Sequence, residues 1–289
     1  MRRLLAIDSL VSSAGDVCRA IFSTGSAFFI GVVDYKVLIP VRHLKRFWRI
    51  EPSATLHVGA HLGEEQADYH RYGFDPIIWI EAHPELADKL KLRVDAHSLV
   101  IQAVAWNTDG EELSFKITND GQSSSVFDFG TLKESYPEIH VEESRTLLSS
   151  RLDSILPEAP KPNFLNLDIQ GAEHQALEGL GNLLNDFDYI YSEVNRTQLY
   201  NDIKEVVEID RYLERYGFVR VATYWTNAGW GDALYLKRRW ALTKFRSELR
   251  LQIRIGIYWI WQIVAKLSPG RLLSWVLGNA IRLSRSKSQ

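Results

Sequence analysis

Short apolar runs alternate with amphipathic segments from residue 54 onward. Residues 54–58 and 76–81 are almost uniformly apolar, which is typical of strands buried on both faces of a sheet. The segments that follow, 64–73 and 84–94, place their apolar residues at the spacing of one helical face. This alternation predicts a parallel sheet covered by helices on both sides.

The alternation continues along the chain and ends in a hairpin. We predict further strands at 98–106, 111–117, 163–168 and 187–194, helices at 172–184 (broken by Gly181) and from about 198 to 216, and an antiparallel pair at 217–225 and 232–238. The closing hairpin makes the predicted sheet mixed. Residues 118–150, rich in Ser and acidic residues, interrupt the pattern and predict either a binding loop or lid, or a solvated loop without function.

The length of 289 residues fits one large domain with appendages. We divide the chain into an N-terminal helical cap (1–53), a central domain (54–238) and a basic amphipathic helical hairpin (239–289). A single cysteine, Cys18, excludes an intramolecular disulfide and favours a reducing compartment. The N-terminal apolar stretch is too short for a signal peptide, and no apolar run is long enough to span a bilayer, so we expect a cytoplasmic protein.

The turn after the first strand predicts a nucleotide-like ligand. In an open parallel sheet, ligands bind beyond the carboxyl ends of the strands. Gly59 and Gly63 have the spacing G-x-x-x-G, which lacks the tight pyrophosphate nest of the dinucleotide fingerprint. Glu81 ends the second strand, where a carboxylate accepts ribose hydroxyls. A nucleoside without phosphates, such as S-adenosylmethionine (SAM), satisfies both observations, whereas glycines alone are equally consistent with a packing turn.

Several motifs occur in the order found in a known family. They are LHVGAHLGEE, IEAHP, GQSSS, RLDSIL, FLNLDIQGAEHQALEGL, YSEVN, YGFVRV and WGDALYLKR, between residues 54 and 238. With these motifs the chain resembles the FkbM family of SAM-dependent methyltransferases. The block from Asp168 to Glu173, D-x-x-G-x-E, is the most specific of them.

The resemblance implies a class I, Rossmann-like α/β fold with a mostly parallel seven-stranded sheet and a C-terminal antiparallel hairpin. It also implies methyl transfer to a hydroxyl oxygen, often on a sugar or polyketide. The cofactor-binding residues that it implies are Gly59, Ala60, His61 and Gly63 for the methionine end, Glu81 for the ribose, Ala103 and Val104 for the adenine, and, without a separate part, Ala82 and Asp168. Family members often have Asn at the position of His61 and Glu at that of Gln170.

Three carboxylates are candidates for the chemistry. Asp168 and Glu193 end neighbouring predicted strands, and Asp232 begins the final strand. A sugar hydroxyl is a poor nucleophile until its proton is accepted or a metal lowers its pKa. The sequence leaves two readings open: the three carboxylates bind Mg²⁺ or another hard divalent ion, or one of them is a general base and no metal is present.

Polar and aromatic residues near these carboxylates are candidates for acceptor binding. They are Ser123, Ser124, Ser125, Gln170, Asn195, Tyr200 and Trp230. For the serines the alternative is an ordinary polar loop, and for Trp230 it is packing within the hairpin.

Charge is distributed unevenly along the chain. Residues 237–289 contain twelve Lys and Arg and one acidic residue, a net +11, so the other 236 residues carry −13 of the total of −2. Residues 244–285 combine basic, aliphatic and Trp residues, a composition typical of a helix at an anionic membrane surface. The alternatives are packing against the central domain or against a second copy in a homo-oligomer. Nucleic acid is the least favoured partner.

The sequence therefore predicts a cytoplasmic SAM-dependent O-methyltransferase, peripheral at the inner face of the membrane if its tail binds lipid. The predicted acceptor is a sugar hydroxyl of a surface polysaccharide or a lipid-linked glycan precursor. Two alternatives remain at this stage: a catalytically silent, membrane-associated scaffold of a glycan-assembly complex, and an O-methyltransferase of a soluble natural product.

Overall fold

The computed structural model describes residues 39–240. Ten strands are found in this part of the chain: Thr55–Val58 (β1), Ile77–Glu81 (β2), Leu99–Gln102 (β3), Val104–Trp106 (β4), Glu112–Thr118 (β5), Val141–Arg151 (β6), Phe164–Leu167 (β7), Tyr189–Asn195 (β8), Phe218–Trp225 (β9) and Trp230–Lys237 (β10). The helices are Val41–Arg46 (α1), Gln66–Tyr72 (α2), Pro84–Arg93 (α3), Leu132–Ser135 (α4), Leu152–Ile155 (α5), Glu173–Leu180 (α6) and Val206–Arg215 (α7), with a 3₁₀ turn at Gly181–Asn185.

Seven strands form the central sheet, in the order β3-β2-β1-β7-β8-β10-β9. The first five are parallel, and β10 runs antiparallel to both β8 and β9. The predicted mixed sheet and its closing hairpin are therefore confirmed, and the fold is that of a class I methyltransferase.

Both faces of the sheet are buried, which explains the continuous apolar runs. Along β2, Ile78 and Ile80 belong to one hydrophobic core cluster, while Ile77 and Trp79 belong to the cluster on the other face. Successive side chains point to opposite faces of a strand, so a strand covered on both sides must be apolar at every position.

The strand order reverses between β1 and β7. From β1 the chain extends the sheet outward through β2 and β3, and from β7 it extends the other way through β8. Such a reversal opens a crevice at the carboxyl ends of the two central strands, where ligands bind in folds of this class. The loops after β1 and β7 meet there, with the Asp168 amide donating to the Val58 carbonyl at 3.0 Å.

The single strand predicted at 98–106 is wrong, because the chain changes sheets at Ala103. Residues Leu99–Gln102 pair with β2, whereas Val104–Trp106 pair with β6 in a separate three-stranded sheet. Between them, the Ala103 amide donates to the Glu81 carbonyl at 3.0 Å. Gln102 is the one polar residue inside this run, and a single polar residue does not mark the end of a strand, so periodicity gave no sign of the change.

The predicted long loop at 118–150 is only partly a loop. Its second part is strand β6, which pairs antiparallel with β5. Most of β6 is exposed, so its residues are polar and form no apolar run. The apolar run that would have predicted a strand is therefore absent from these residues.

The last predicted helix begins later than expected, at Val206 rather than near Gln198. A capping box between Glu205 and Glu208 fixes this start. Before it, the carbonyls of Gln198 and Leu199 accept backbone amides from residues 130–132 of the 118–150 segment. These carbonyls are used for a contact between loops and not for a helix.

The predicted segment boundaries at 53 and 238 remain a prediction. The basic tail from residue 241 onward and most of the N-terminal cap lie outside the described residues. Within 39–240, no helix is long and apolar enough to cross a membrane.

Candidate active site

The turn after β1 brings two loops into close contact. The amides of Gly59 and Ala60 donate to the Ile80 carbonyl at 2.9 and 3.0 Å. Gly59 has φ +90°, and a Cβ at this position would lie 1.7 Å from the Asp168 carbonyl oxygen. Gly63 has φ +68°, and its Cβ would lie 2.8 Å from a Leu90 methyl. The close approach to Asp168 requires a glycine at position 59, and the left-handed backbone favours one at position 63. The turn is therefore tightly packed within the protein, and its contact with SAM stays a prediction.

Glu81 is a buried carboxylate that two backbone amides hold in place. Its Oε2 accepts from the His61 amide at 2.7 Å and its Oε1 from the His83 amide at 2.8 Å. Burial raises the pKa of Glu81, and these hydrogen bonds oppose the rise. A carboxylate has about four acceptor sites, so capacity for a ligand remains beside these amides and the Ala82 amide, which also lowers the pKa. Two neighbouring hydroxyls of a ribose match that capacity.

The residues predicted to contact the adenine lie beside Glu81. The Ala82 carbonyl accepts from the Gln102 side-chain amide at 3.0 Å. Ala103 and Val104 are both buried. His61, in the turn, has a left-handed backbone with φ 47° and bonds Glu64 through Nδ1 at 2.8 Å.

One side-chain amide joins two of the predicted catalytic carboxylates. The Nε2 of Gln170 donates to Asp168 Oδ1 at 2.7 Å and to Glu193 Oε2 at 3.1 Å. Asp168 is partly exposed, whereas Glu193 is buried. The expected proximity of the two neighbouring strand ends is thus observed: a neutral amide bonds both acids, and a hydrogen bond with Glu193 also lowers the pKa of Asp168 directly.

The third carboxylate, Asp232, has a different partner. It lies opposite Glu193 in the β8–β10 register and bonds the Tyr191 hydroxyl. Within residues 39–240, no three His, Cys, Asp or Glu side chains are grouped to hold a metal ion. The metal reading of Asp168, Glu193 and Asp232 therefore has no support from the structure.

Burial and mutual repulsion favour the protonated forms of Asp168 and Glu193. The pKa of Glu193 is well above its usual range because the side chain is desolvated, and the charges of Asp168, Glu173 and Asp232 add to the effect. Desolvation also raises the pKa of Asp168, while the hydrogen bond from Gln170 lowers it. Ionised, such carboxylates are stronger bases than ordinary surface acids.

Glu173 is an important residue that the sequence reasoning did not place in the site. Its Oε1 accepts from the amides of Ile169 at 3.0 Å and Gly171 at 3.1 Å, which fixes the loop after β7. Burial raises its pKa to about 7. The D-x-x-G-x-E spacing, which ends at this residue, was the available signal.

The three predicted acceptor-binding serines are bonded within the protein. Ser123 donates to Asp120 at 2.7 Å, Ser124 to the Gly121 carbonyl at 2.9 Å, and Ser125 to the Gln170 carbonyl at 2.7 Å. Ser125 therefore connects the 118–150 segment to the acidic pair.

Two of the remaining predicted acceptor-binding residues contact Gln170 or Glu193, and the third, Trp230, lies opposite Asn195 in the β8–β10 register. The Tyr200 hydroxyl donates to Gln170 Oε1 at 2.7 Å, and the Asn195 side-chain amide approaches Glu193 Oε1 at 3.4 Å. Trp230 donates through Nε1 to the Tyr136 hydroxyl at 2.9 Å. It packs against the small hydrophobic cluster that includes Tyr200.

Solved methyltransferase structures resemble this chain at low sequence identity. Magnesium protoporphyrin IX methyltransferase from Synechocystis, with bound SAM, is 12% identical with a TM-score of 0.40, covering 81% of this chain and 96% of that one. A TehB-like SAM-dependent methyltransferase from Corynebacterium glutamicum is 9% identical with a TM-score of 0.38, covering 80% and 99%. None of the curated proteins compared with the chain matches it.

The family assignment rests on the sequence of the central domain. The model of the methyltransferase FkbM domain matches residues 57–220, more than half of the 289 residues. This span contains the turn after β1, Glu81, and the pair of Asp168 and Glu193. The chain therefore belongs to the FkbM family of SAM-dependent methyltransferases.

Proposed function

We propose that this protein transfers a methyl group from SAM to a sugar hydroxyl of a surface polysaccharide or a lipid-linked glycan precursor. The observation that carries the proposal is the pair of Asp168 and Glu193, joined by Gln170 at the crevice between β1 and β7. A site at this position holds both the cofactor and the acceptor in folds of this class.

The proposed cofactor site uses residues from three loops. The turn from Gly59 to Gly63 holds the methionine end, Glu81 accepts both ribose hydroxyls, and Ala82, Ala103 and Val104 border the adenine. The remaining acceptor capacity of Glu81, buried at the carboxyl end of β2, supports this arrangement. Bound SAM supplies an electrophilic methyl group on a sulfonium, and the protein positions the acceptor in line with it.

The proposed role of the acidic pair is to accept the hydroxyl proton. As the acceptor oxygen bonds the methyl carbon, the carbon–sulfur bond breaks with its electrons on sulfur, and the proton passes to Asp168 or Glu193. A base works best when its pKa is close to the working pH. Burial raises the pKa of both carboxyls above their ordinary values, which makes each of them a stronger base once ionised and supports this role.

A neutral polyhydroxyl acceptor suits this environment better than an anionic one. The charges that act on Glu193 within the described residues come from Asp168, Glu173 and Asp232, all acidic. Sugar hydroxyls donate to carboxylates, whereas a phosphate or carboxylate beside the reacting hydroxyl would be repelled. Asn195, Tyr200, Trp230 and Ser123 to Ser125 are the side chains that we propose border the acceptor.

Methyl transfer to defined acceptors tests the proposal. The purified full chain would be incubated with SAM and a panel of neutral oligosaccharides, phosphorylated sugars, phenols and amines, and the products analysed by mass spectrometry. We expect a methyl ether on a neutral sugar. Methylation of amines alone or of phenols alone would contradict the sugar assignment. A chain that binds no SAM in calorimetry would indicate the silent scaffold.

A further inference from the structure

Gln170 occupies a backbone position that directs its side chain between the two acids. Its φ of 55° lies in the left-handed region, which is uncommon for a residue other than glycine. Ser125 holds the Gln170 carbonyl at 2.7 Å, and Glu173 holds the next amide, that of Gly171, at 3.1 Å. Such an unfavourable conformation persists only when the surrounding structure enforces it.

The side chain of Gln170 makes a hydrogen bond at each end. Its NH₂ group donates to Asp168 and Glu193, and its Oε1 accepts from the Tyr200 hydroxyl at 2.7 Å. In this orientation the NH₂ side of the amide faces the two acids, and an ionised carboxylate can only accept such hydrogen bonds. Tyr200 is completely buried and occupies the other side of the amide, so the oxygen is kept away from the acids.

The Tyr200 hydroxyl is itself held in place. It also lies 3.1 Å from the Ser123 carbonyl, in the segment that Ser125 ties to Gln170. The hydroxyl has a single proton, and we assign it to the shorter contact, the one with Gln170 Oε1 at 2.7 Å. The contacts form one connected network from Ser123 to Glu193.

We propose that Gln170 is a positioning residue, whose amide holds the Asp168 and Glu193 carboxylates together and keeps them able to accept a proton, and that Tyr200 fixes which side of this amide faces them. The proposal rests on the proposed function for its catalytic meaning. The amide of Gln170 is neutral, so it cannot act as an acid or base in the way that the glutamate often found at this position in the family could. It stabilises two nearby negative charges by donation, where a third carboxylate would repel them.

Other titratable groups also face this network and contribute to its charge. They come from every surrounding element and are His57, Glu65, Asp120, Glu173, Tyr191 and Asp232. All of them remain unchanged when Gln170 is substituted, so a changed titration of the pair reports on the amide itself.

The test is a carbon NMR titration of the carboxyl groups of Asp168 and Glu193 in the full chain, without cofactor or acceptor. Gln170→Met keeps the length of the side chain and removes both donors. We expect the apparent titration midpoint of the pair to rise by about one pH unit or more, because hydrogen bonds to the ionised form lower a pKa. Tyr200→Phe should raise it less, because the amide stays but its orientation is no longer fixed.

A second substitution and two controls keep the outcome interpretable. Gln170→Asn suits the left-handed backbone but withdraws the amide, so it should shift the midpoint like Gln170→Met without a folding penalty. Gln102→Met and Tyr212→Phe remove side-chain donors that lie outside the network, to the Ala82 carbonyl and the Leu177 carbonyl respectively. Neither should move the midpoint.

Midpoints that stay unchanged in both Gln170 variants would overturn the proposal. SAM calorimetry on the same proteins separates this result from the proposed function. Wild-type protein that fails to bind SAM would refute the cofactor site and leave the titration result standing. SAM binding with unchanged midpoints would refute only the role of Gln170.

Discussion

Backbone amides hold the Glu81 carboxylate, which we propose binds the ribose of SAM. It is buried beside two backbone amides, those of His61 and His83, which stabilise its charge without neutralising it. A cation would have competed with a ligand for the remaining lone pairs, whereas backbone amides leave acceptor capacity on the carboxylate.

Replacing this carboxylate by an amide should weaken cofactor binding. In Glu81→Gln the new NH₂ group faces one of the two backbone amides, so donor meets donor and one ribose contact is lost. Hydrogen bonds to charged groups contribute about 1.5–3 kcal/mol each, so we expect SAM affinity to fall roughly 10- to 100-fold. Calorimetry measures this directly. The exposed Glu85→Gln serves as the control, and equal affinities of the two variants would contradict the assignment of Glu81.

Sequence reasoning located the acids of the site but not the contacts between them. Asp168 and Glu193 were expected to be neighbours because parallel strands end at the same edge of a sheet. The position of Gln170 between them depends on a left-handed backbone at a residue other than glycine, which no sequence pattern announces. The pairing of Asp232 with Tyr191 depends equally on the register of β8 and β10.

Glu173 makes the stability of the protein depend on pH. Its pKa is about 7 in the folded protein, against 4.5 for an unperturbed glutamate, and burial is the main cause. The folded state therefore binds more protons than the unfolded state between these two values. By linkage, the contribution of Glu173 to the free energy of unfolding is largest below about pH 4.5. This contribution is lost as the pH rises toward 7 and does not return above it.

Glu173→Gln should remove this loss, because Gln does not titrate and its oxygen still accepts from Ile169 and Gly171. Relative to wild type, we expect the variant to gain up to about 3 kcal/mol of unfolding free energy between pH 5 and pH 8. Urea unfolding at both values measures the change, with the exposed Glu214→Gln as the control. A difference between variant and wild type that is the same at both pH values would refute the role given to Glu173.

At the scale of elements, prediction succeeded where packing and periodicity agree. Helix α6 ends at Leu180, and Gly181 follows with φ 49°, as its position in the sequence suggested. Prediction failed where long-range pairing decided the structure. Strands β3 and β4 share one apolar run but join different sheets, and β6 is too exposed to show a strand pattern.

The contact between the loops after β1 and β7 should be sensitive to a single methyl group. Gly59→Ala would place its Cβ 1.7 Å from the Asp168 carbonyl and impose a φ of +90° on a residue with a side chain. We expect a loss of more than about 3 kcal/mol of unfolding free energy. Gly73→Ala is the matched control, because Gly73 has φ +71° but no atom within 4 Å of its Cβ position.

The control variant should lose only the conformational cost of a left-handed residue, about 1–2 kcal/mol. Urea unfolding of both variants measures the difference. Similar losses in the two would show that the loops separate easily, and that the close approach of Gly59 to Asp168 is not what requires a glycine there.

At the scale of the whole molecule, charge separates the chain into two parts. The acidic pair, Glu81 and Glu173 all belong to the part before residue 237, which carries −13, while residues 237–289 carry +11. The first residues of the basic part still pack on the central domain: Arg239 pairs with Asp188, and the Trp240 ring stacks on Tyr189 with centroids 6.4 Å apart. A truncation that tests the tail should therefore keep both residues.

We propose that the basic tail binds anionic membrane surfaces, and vesicle flotation tests this with the full chain and a version ending at Trp240. Each basic residue at an anionic surface adds about 1 kcal/mol of attraction, so the full chain should float with vesicles that contain phosphatidylserine, and less at high salt. The truncated chain should stay at the bottom with any vesicle. Equal flotation of both chains would place the lipid-binding surface outside the tail. Flotation of neither would favour packing of the tail on the protein itself or on a second copy.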